Sequence, residues 1–135
     1  MNYLDSGEIQ VSEYYFSDYF RVVLLRDGDQ FIASVDVYRK GWFFSGHEEK
    51  CVSDNRVCMM FKRVDPSILP KDFSLIIDQV IIVGARISGV EETISAKWVL
   101  KKEPSYDEIS RIYELSWRII GCKPPLPEPF HIACD

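Results

Sequence analysis

The sequence predicts an α+β fold: an antiparallel sheet of five or six strands, packed by one long C-terminal helix and followed by an extended proline-rich tail. Three observations carry this expectation. Apolar and polar residues alternate with period two in several short runs, such as Phe31, Ala33, Val35 and Val37 against Ser34, Asp36 and Tyr38 with Ile32, the mark of a sheet with one buried face. The first two clear runs are joined by Asp27-Gly28-Asp29-Gln30, and an Asp-Gly step between such runs is a strong hairpin signal. A helical stripe appears only near the end, from Pro104 to Gly121. A chain of 135 residues with no dividing linker reads as a single domain over residues 1–135.

Taken in order, Tyr14, Phe16 and Phe20 suit the inward face of a first strand. Tyr19–Arg26 and Phe31–Arg39 follow as strands. The first of these is apolar on both faces from Val22 to Leu25, which suits a position away from the sheet edge. Gly41–Phe44 would prolong the second. Ser45–Asn55 is polar and charged and reads as an exposed loop, and Val57–Val64 is the next strand. Pro66 and Pro70 bracket a connection, because proline lacks the donor that pairing needs.

The stretch from Lys71 to Ser88 is dense enough in apolar residues for a buried helix. Its β-branched alternation (Ile81, Val83, Ala85 and Ile87 on one face) favours a strand, leaving a short helical turn at most over Lys71–Asp78. Thr93–Lys101 repeats the alternation, with Ile94, Ala96, Trp98 and Leu100 on one side, and Gly89-Val90-Glu91-Glu92 makes the turn between the two. In the helix, Ser105 and Glu108 have capping-box spacing, Ile109, Ile112, Leu115 or Ser116, and Ile119 mark an inward stripe, and Gly121 ends it. Lys123–Pro129 must then run extended, with Phe130 and Ile132 as anchors.

Composition narrows function more than any motif does. With 16 basic against 21 acidic residues, the net charge is −5. Such a balance disfavours nucleic-acid binding, which needs clustered Lys and Arg. Lys97, Lys101 and Lys102 are the nearest approach to a basic cluster and read as a solvated face. Apolar runs such as Val80–Val83 are far too short to cross a bilayer, and no secretory leader is recognisable, so a soluble cytoplasmic protein is expected. The four cysteines, Cys51, Cys58, Cys122 and Cys134, could make two disulfides in an oxidising compartment; in the cytoplasm they would mostly be free thiols or small buried hydrophobes. Zinc groups built on His47, Cys51 and Cys58, or on Cys122, His131 and Cys134, lack the short Cys-x-x-Cys knuckle. No metal or cofactor is expected.

Catalytic constellations fare no better. His47 and His131 sit in a charged loop and a proline-rich tail, where surface or packing roles account for them. Cys51 beside His47 has Glu48, Glu49 and Asp54 around it, the wrong field for a thiolate. There is no glycine-rich phosphate cradle. The acid pairs Glu91–Glu92 and Asp107–Glu108 belong to a turn and a helix start. Lys123-Pro124-Pro125-Leu126-Pro127 resembles a polyproline ligand, but an extended tail explains it as well. Trp42, Phe43, Phe44, Trp98, Tyr113 and Trp117 could line a ligand pocket between sheet and helix or simply fill a core.

The least ordinary stretch is the first twenty residues. They hold Asp5, Glu8, Glu13 and Asp18, no Lys or Arg, and six aromatic rings including Tyr15 and Tyr19. Acids beside amphipathic rings suit a surface that grips a basic partner. The leading expectation is therefore a small, acidic, non-enzymatic inhibitor of one specific protein. Its sharpest form is an immunity protein that neutralises a cognate bacterial toxin, a basic nuclease for example. The expected contact face draws on Glu8, Glu13, Tyr15, Asp18, Glu48, Glu49 and Asp54. A secretion-chaperone-like acidic dimer, and a small enzyme or ligand carrier, are the alternatives.

Overall fold

The computed structural model describes residues 9–37, 48–87 and 91–121. The expectations for Glu8, Gly41–Phe44, His47, Gly89, Cys122, the tail, His131 and Cys134 lie outside these residues. The described chain is α+β, with one antiparallel sheet and a main C-terminal helix. The strands are β1 (Ile9–Tyr15), β2 (Arg21–Asp27), β3 (Gln30–Val37), β4 (Glu48–Val52), β5 (Val57–Val64), β6 (Ile77–Ile87) and β7 (Glu91–Leu100). They form a single seven-stranded sheet in the order β1-β2-β3-β7-β6-β5-β4. Two meanders, β1–β3 and β4–β7, are joined through the antiparallel pairing of β3 with β7.

Seven strands correct the expectation of five or six. The additional strand is β4, inside the stretch read as an exposed loop. Glu48, Glu49 and Lys50 are all exposed, and charge of this kind is how edge strands resist further pairing. Polarity therefore hid a strand whose backbone is fully engaged on one side, from Glu48 opposite Phe61 to Val52 opposite Val57. Cys51 and Cys58 face each other in this register, with Cα atoms 4.1 Å apart, and are joined by a disulfide. This is the pairing expected of an oxidising compartment and not the free thiols expected of a cytoplasmic one; such a bond is kept in the first and opened in the second.

Turn chemistry is visible at two tips. Gly28 takes φ +61° while Asp29 stays out of the left-handed region, the pattern of the two-residue hairpin with glycine at its first central position. At the β4–β5 tip, Ser53, Asp54 and Asn55 are all left-handed, with φ between 54° and 67°. Asp and Asn tolerate this conformation best among residues bearing a Cβ. The ladder and the disulfide immediately below hold the tip in place.

Alternation sends one set of side chains under the helices. Val22 and Leu24 on β2, Ala33, Val35 and Val37 on β3, Ile94, Ala96 and Trp98 on β7, Val80 and Ile82 on β6, and Cys58 and Met60 on β5 are all buried. Full burial of each Val, Leu, Ile or Met side chain among them contributes about 1.5–3 kcal/mol. A short helix α1 (Lys71–Ser74) precedes β6, within the segment expected to hold a helical turn. Its Phe73 meets Trp98 edge-on at 6.1 Å.

Helix α2 (Tyr106–Ile120) starts at a complete capping box between Ser105 and Glu108 and stops at Gly121, φ +94°, as its sequence implies. It packs chiefly on β2 and β3. Its buried side is Ile109, Ile112, Tyr113, Ser116, Trp117 and Ile120, while Leu115 and Ile119 are only partly buried against the core. The stripe is thus rotated toward Tyr113 and Trp117. The reason is Ser116, whose Oγ accepts from Trp98 Nε1 at 2.8 Å and donates to the Ile112 carbonyl at 2.7 Å. A hydroxyl satisfied twice can sit in the core, and it brings the large rings beside it inward.

Candidate docking site at one end of the sheet

The β1–β2 connection divides its aromatic residues between two tasks. Phe20 is buried, and Tyr14 and Phe16 are partly buried against the core. Phe16 stacks on Tyr113 at 4.4 Å, Phe20 meets Trp117 edge-on at 5.6 Å, and Tyr14 lies 6.3 Å from Tyr106. The bend closes on itself, with the Phe16 and Ser17 amides both donating to the Phe20 carbonyl at 2.8 and 3.3 Å. Fixing the phenylalanines inward leaves Asp18 and Tyr19 exposed.

These residues border an open cleft of about 270 Å³ lined by Tyr15, Asp18, Tyr19, Arg21 and Asp36. Tyr15 and Tyr19 are 54% and 66% exposed, unusually open for rings of that size. Tyr15 is held in position: its hydroxyl donates to Glu13 Oε2 at 2.6 Å and accepts from Arg21 Nη1 at 3.2 Å. Arg21 also pairs with Glu13 at 3.4 Å, and its guanidinium stands 5.9 Å from the centre of the Tyr15 ring. Hydrogen bonding to Tyr15 and then the Glu13 charge hold the Arg21 pKa above its ordinary value, so this cation is fixed and already committed within the chain. Asp36 accepts from Ser95 Oγ at 2.6 Å.

Three carboxylates (Glu13, Asp18 and Asp36) thus meet one arginine at the cleft. The surplus is negative, and the exposed faces are aromatic. Such a surface can accept an ammonium or guanidinium group by ion pairing and by contact with ring faces.

The residues expected to form one contact face are not brought together. Glu13, Tyr15 and Asp18 lie at the β1 end. Glu48 and Glu49 belong to β4, and Asp54 to the β4–β5 tip, at the opposite edge. Six strand intervals at about 4.8 Å each put roughly 29 Å between the two edges. Glu49 is moreover occupied, 3.9 Å from Arg86 Nη2 and 3.3 Å from Cys51 Sγ.

Tyr19, Arg21 and Asp36 were missed as site residues. The hairpin turn contained the signal for two of them. A turn centred on Gly28-Asp29 pairs Asp27 with Gln30 and Val22 with Val35, and one further step sets Asp36 beside Arg21.

Among the described residues, Glu49, Cys51 and Cys58 have potential ligand atoms within 4.8 Å of one another. Their two sulfurs are bonded to each other, and Arg86 Nη2 lies 3.4 Å from Cys58 Sγ, which opposes a cation there. The space between sheet and helices is filled by Trp98, Trp117 and Phe73, all nearly or fully buried. No described helix is long and apolar enough to cross a membrane.

The fold and the site together define an acidic α+β domain with a tyrosine-lined cleft at one end of its sheet. No family model, no curated protein and no solved structure matches this chain.

Proposed function

We propose that this protein is a non-enzymatic inhibitor that acts by docking one basic protein partner. Its sharpest form is an immunity protein that neutralises a cognate toxin such as a basic nuclease. The observation that carries the reading is the cleft itself, in which exposed Tyr15 and Tyr19 flank Asp18 and Asp36 beside Glu13. Rings give contact area at low entropic cost, and the surplus carboxylates select a cation and speed encounter. The net charge of −5 extends the same field beyond the cleft.

The contact face of this proposal is narrower than the seven residues read from the sequence. It comprises Glu13, Tyr15 and Asp18 with Tyr19 and Asp36, and Arg21 acts from below by positioning Tyr15. Glu48, Glu49 and Asp54 are too far away to touch the same small epitope.

Affinity capture from the native cell, with the unaltered chain and an Asp18→Lys, Tyr19→Ala variant as parallel baits, tests the reading. A single basic protein held in stoichiometric amount by the first bait and lost from the second is the expected result. Retention of nothing, or equal retention by both, would sink it.

A further inference from the structure

Both helices lie on the Trp98 side of the sheet, through the contacts of Phe73 and Ser116 with that residue. Among the described residues no helix covers the other side. On that open face β3 and β7 carry a short polar strip, where Lys97 Nζ donates to Ser34 Oγ at 3.1 Å and Ser95 to Asp36, beside half-buried Val23, Leu25, Ile32 and Val99. Beyond this stripe the character changes. Every open-face position from Ile81 to Ile87 on β6 is apolar (Ile81, Val83, Ala85 and Ile87), and so are Val57, Met59 and Phe61 opposite them on β5. Val52 continues the patch onto β4. Met59 and Val52 are 55% and 54% exposed.

An antiparallel sheet that simply faces water carries polar residues at such positions. A contiguous apolar patch instead marks a contact surface. With about 3.4 Å per residue and about 4.8 Å between strands, the patch runs roughly 20 Å along β6 and, over the two intervals from β6 to β4, roughly 10 Å across. That is the size of an interface core, which a polar rim completes to the roughly 800 Å² per partner of a stable association.

We infer that a second copy of this chain occupies the patch, in a two-fold sheet-on-sheet dimer. The charges around it choose the occupant. The chain is acidic overall, so self-association must avoid its negative end. The patch does avoid it. Its described rim carries Lys50, Arg56, Arg63 and Lys97 against Glu48 and Asp54, a mixture of signs that an isologous interface pairs with itself. A strongly basic partner would be repelled here. Edge-to-edge pairing through β4 is blocked by its charges and by its length of five residues, whereas its face is left open to stacking.

Sedimentation of the full chain at micromolar concentration tests this. The expected mass is twice the 15.7 kDa of one chain. Met59→Lys and, separately, Val52→Lys should each halve it with circular dichroism unchanged, both side chains being exposed. Val11→Lys, an exposed apolar position at the β1 end of the same face, should leave it doubled. A monomeric parent chain overturns the inference, as does a dimer that survives both patch substitutions or that Val11→Lys abolishes. The outcome is independent of whether the acidic cleft binds a basic protein.

Discussion

Ser116 shows how one side chain decides which surface of a helix becomes the core. Its hydroxyl joins the indole of Trp98 to the Ile112 carbonyl, and it is the one polar residue fully buried among those described. Replacing it with alanine removes little volume and leaves the Trp98 N–H buried without a partner. The cost of such an orphan is about 1–3 kcal/mol, and chemical denaturation of Ser116→Ala should reveal a loss in that range. A loss near zero would mean that Trp98 does not depend on this bond. Tyr113 makes a contrasting case one turn earlier. Its buried hydroxyl has no hydrogen-bond partner, and burial pushes its pKa up to about 12. A group whose folded pKa is raised gives stability that is present below its ordinary value of about 10 and is lost as pH rises through the folded value. Between about pH 10 and about pH 12 the parent chain should therefore lose stability that Tyr113→Phe retains, without penalty at neutral pH. Coincident alkaline unfolding curves would refute this.

At the scale of elements, legibility tracked how much of a strand's identity lies in its side chains. β3 and β7 were readable because every second residue is buried and apolar, and α2 because Ser105, Glu108 and Gly121 mark both ends. β4 was not, since Glu48, Glu49 and Lys50 look like loop and its pairing resides in backbone bonds to β5. On α2 spacing offered Leu115 or Ser116 for the inward stripe and could not choose between them, because only the bonds to Trp98 and the Ile112 carbonyl make a buried serine acceptable. In the acidic-aromatic segment the inward set Tyr14, Phe16 and Phe20 was legible, but β1 ends at Tyr15, and Phe16 and Phe20 are turned inward by a bend that alternation does not describe. The β4–β5 hairpin also carries the clearest test at this scale. Cys51 and Cys58 are seven residues apart, and closing so short a loop in the unfolded chain is worth roughly 2.5 kcal/mol. Replacing both with alanine should lower stability by about that amount under oxidising conditions and leave it unchanged in excess dithiol. An equal loss in both conditions would show that the sulfurs matter as packing and not as a bond.

Across the whole molecule the sheet separates two surfaces of different character. One end presents tyrosines and surplus carboxylates around a cleft. The other presents aliphatic side chains within a rim of both charges. The helices and their rings lie on the remaining face and hold the bend that shapes the cleft, through Phe16 on Tyr113 and Phe20 on Trp117. In the proposed docking, the acidic end is the one turned to a partner of opposite charge.

The most direct measurement is the affinity of the captured partner for the parent chain, for Asp18→Lys and for Glu48→Lys, taken at low and at physiological salt. The account predicts that Asp18→Lys weakens binding at least about tenfold, or about 1.4 kcal/mol. Glu48→Lys, at the far edge, should change it little, and salt should weaken the parent complex mainly by slowing association. Equal losses from the two substitutions, or an affinity indifferent to both, would contradict a docking site at the tyrosine-lined end of the sheet.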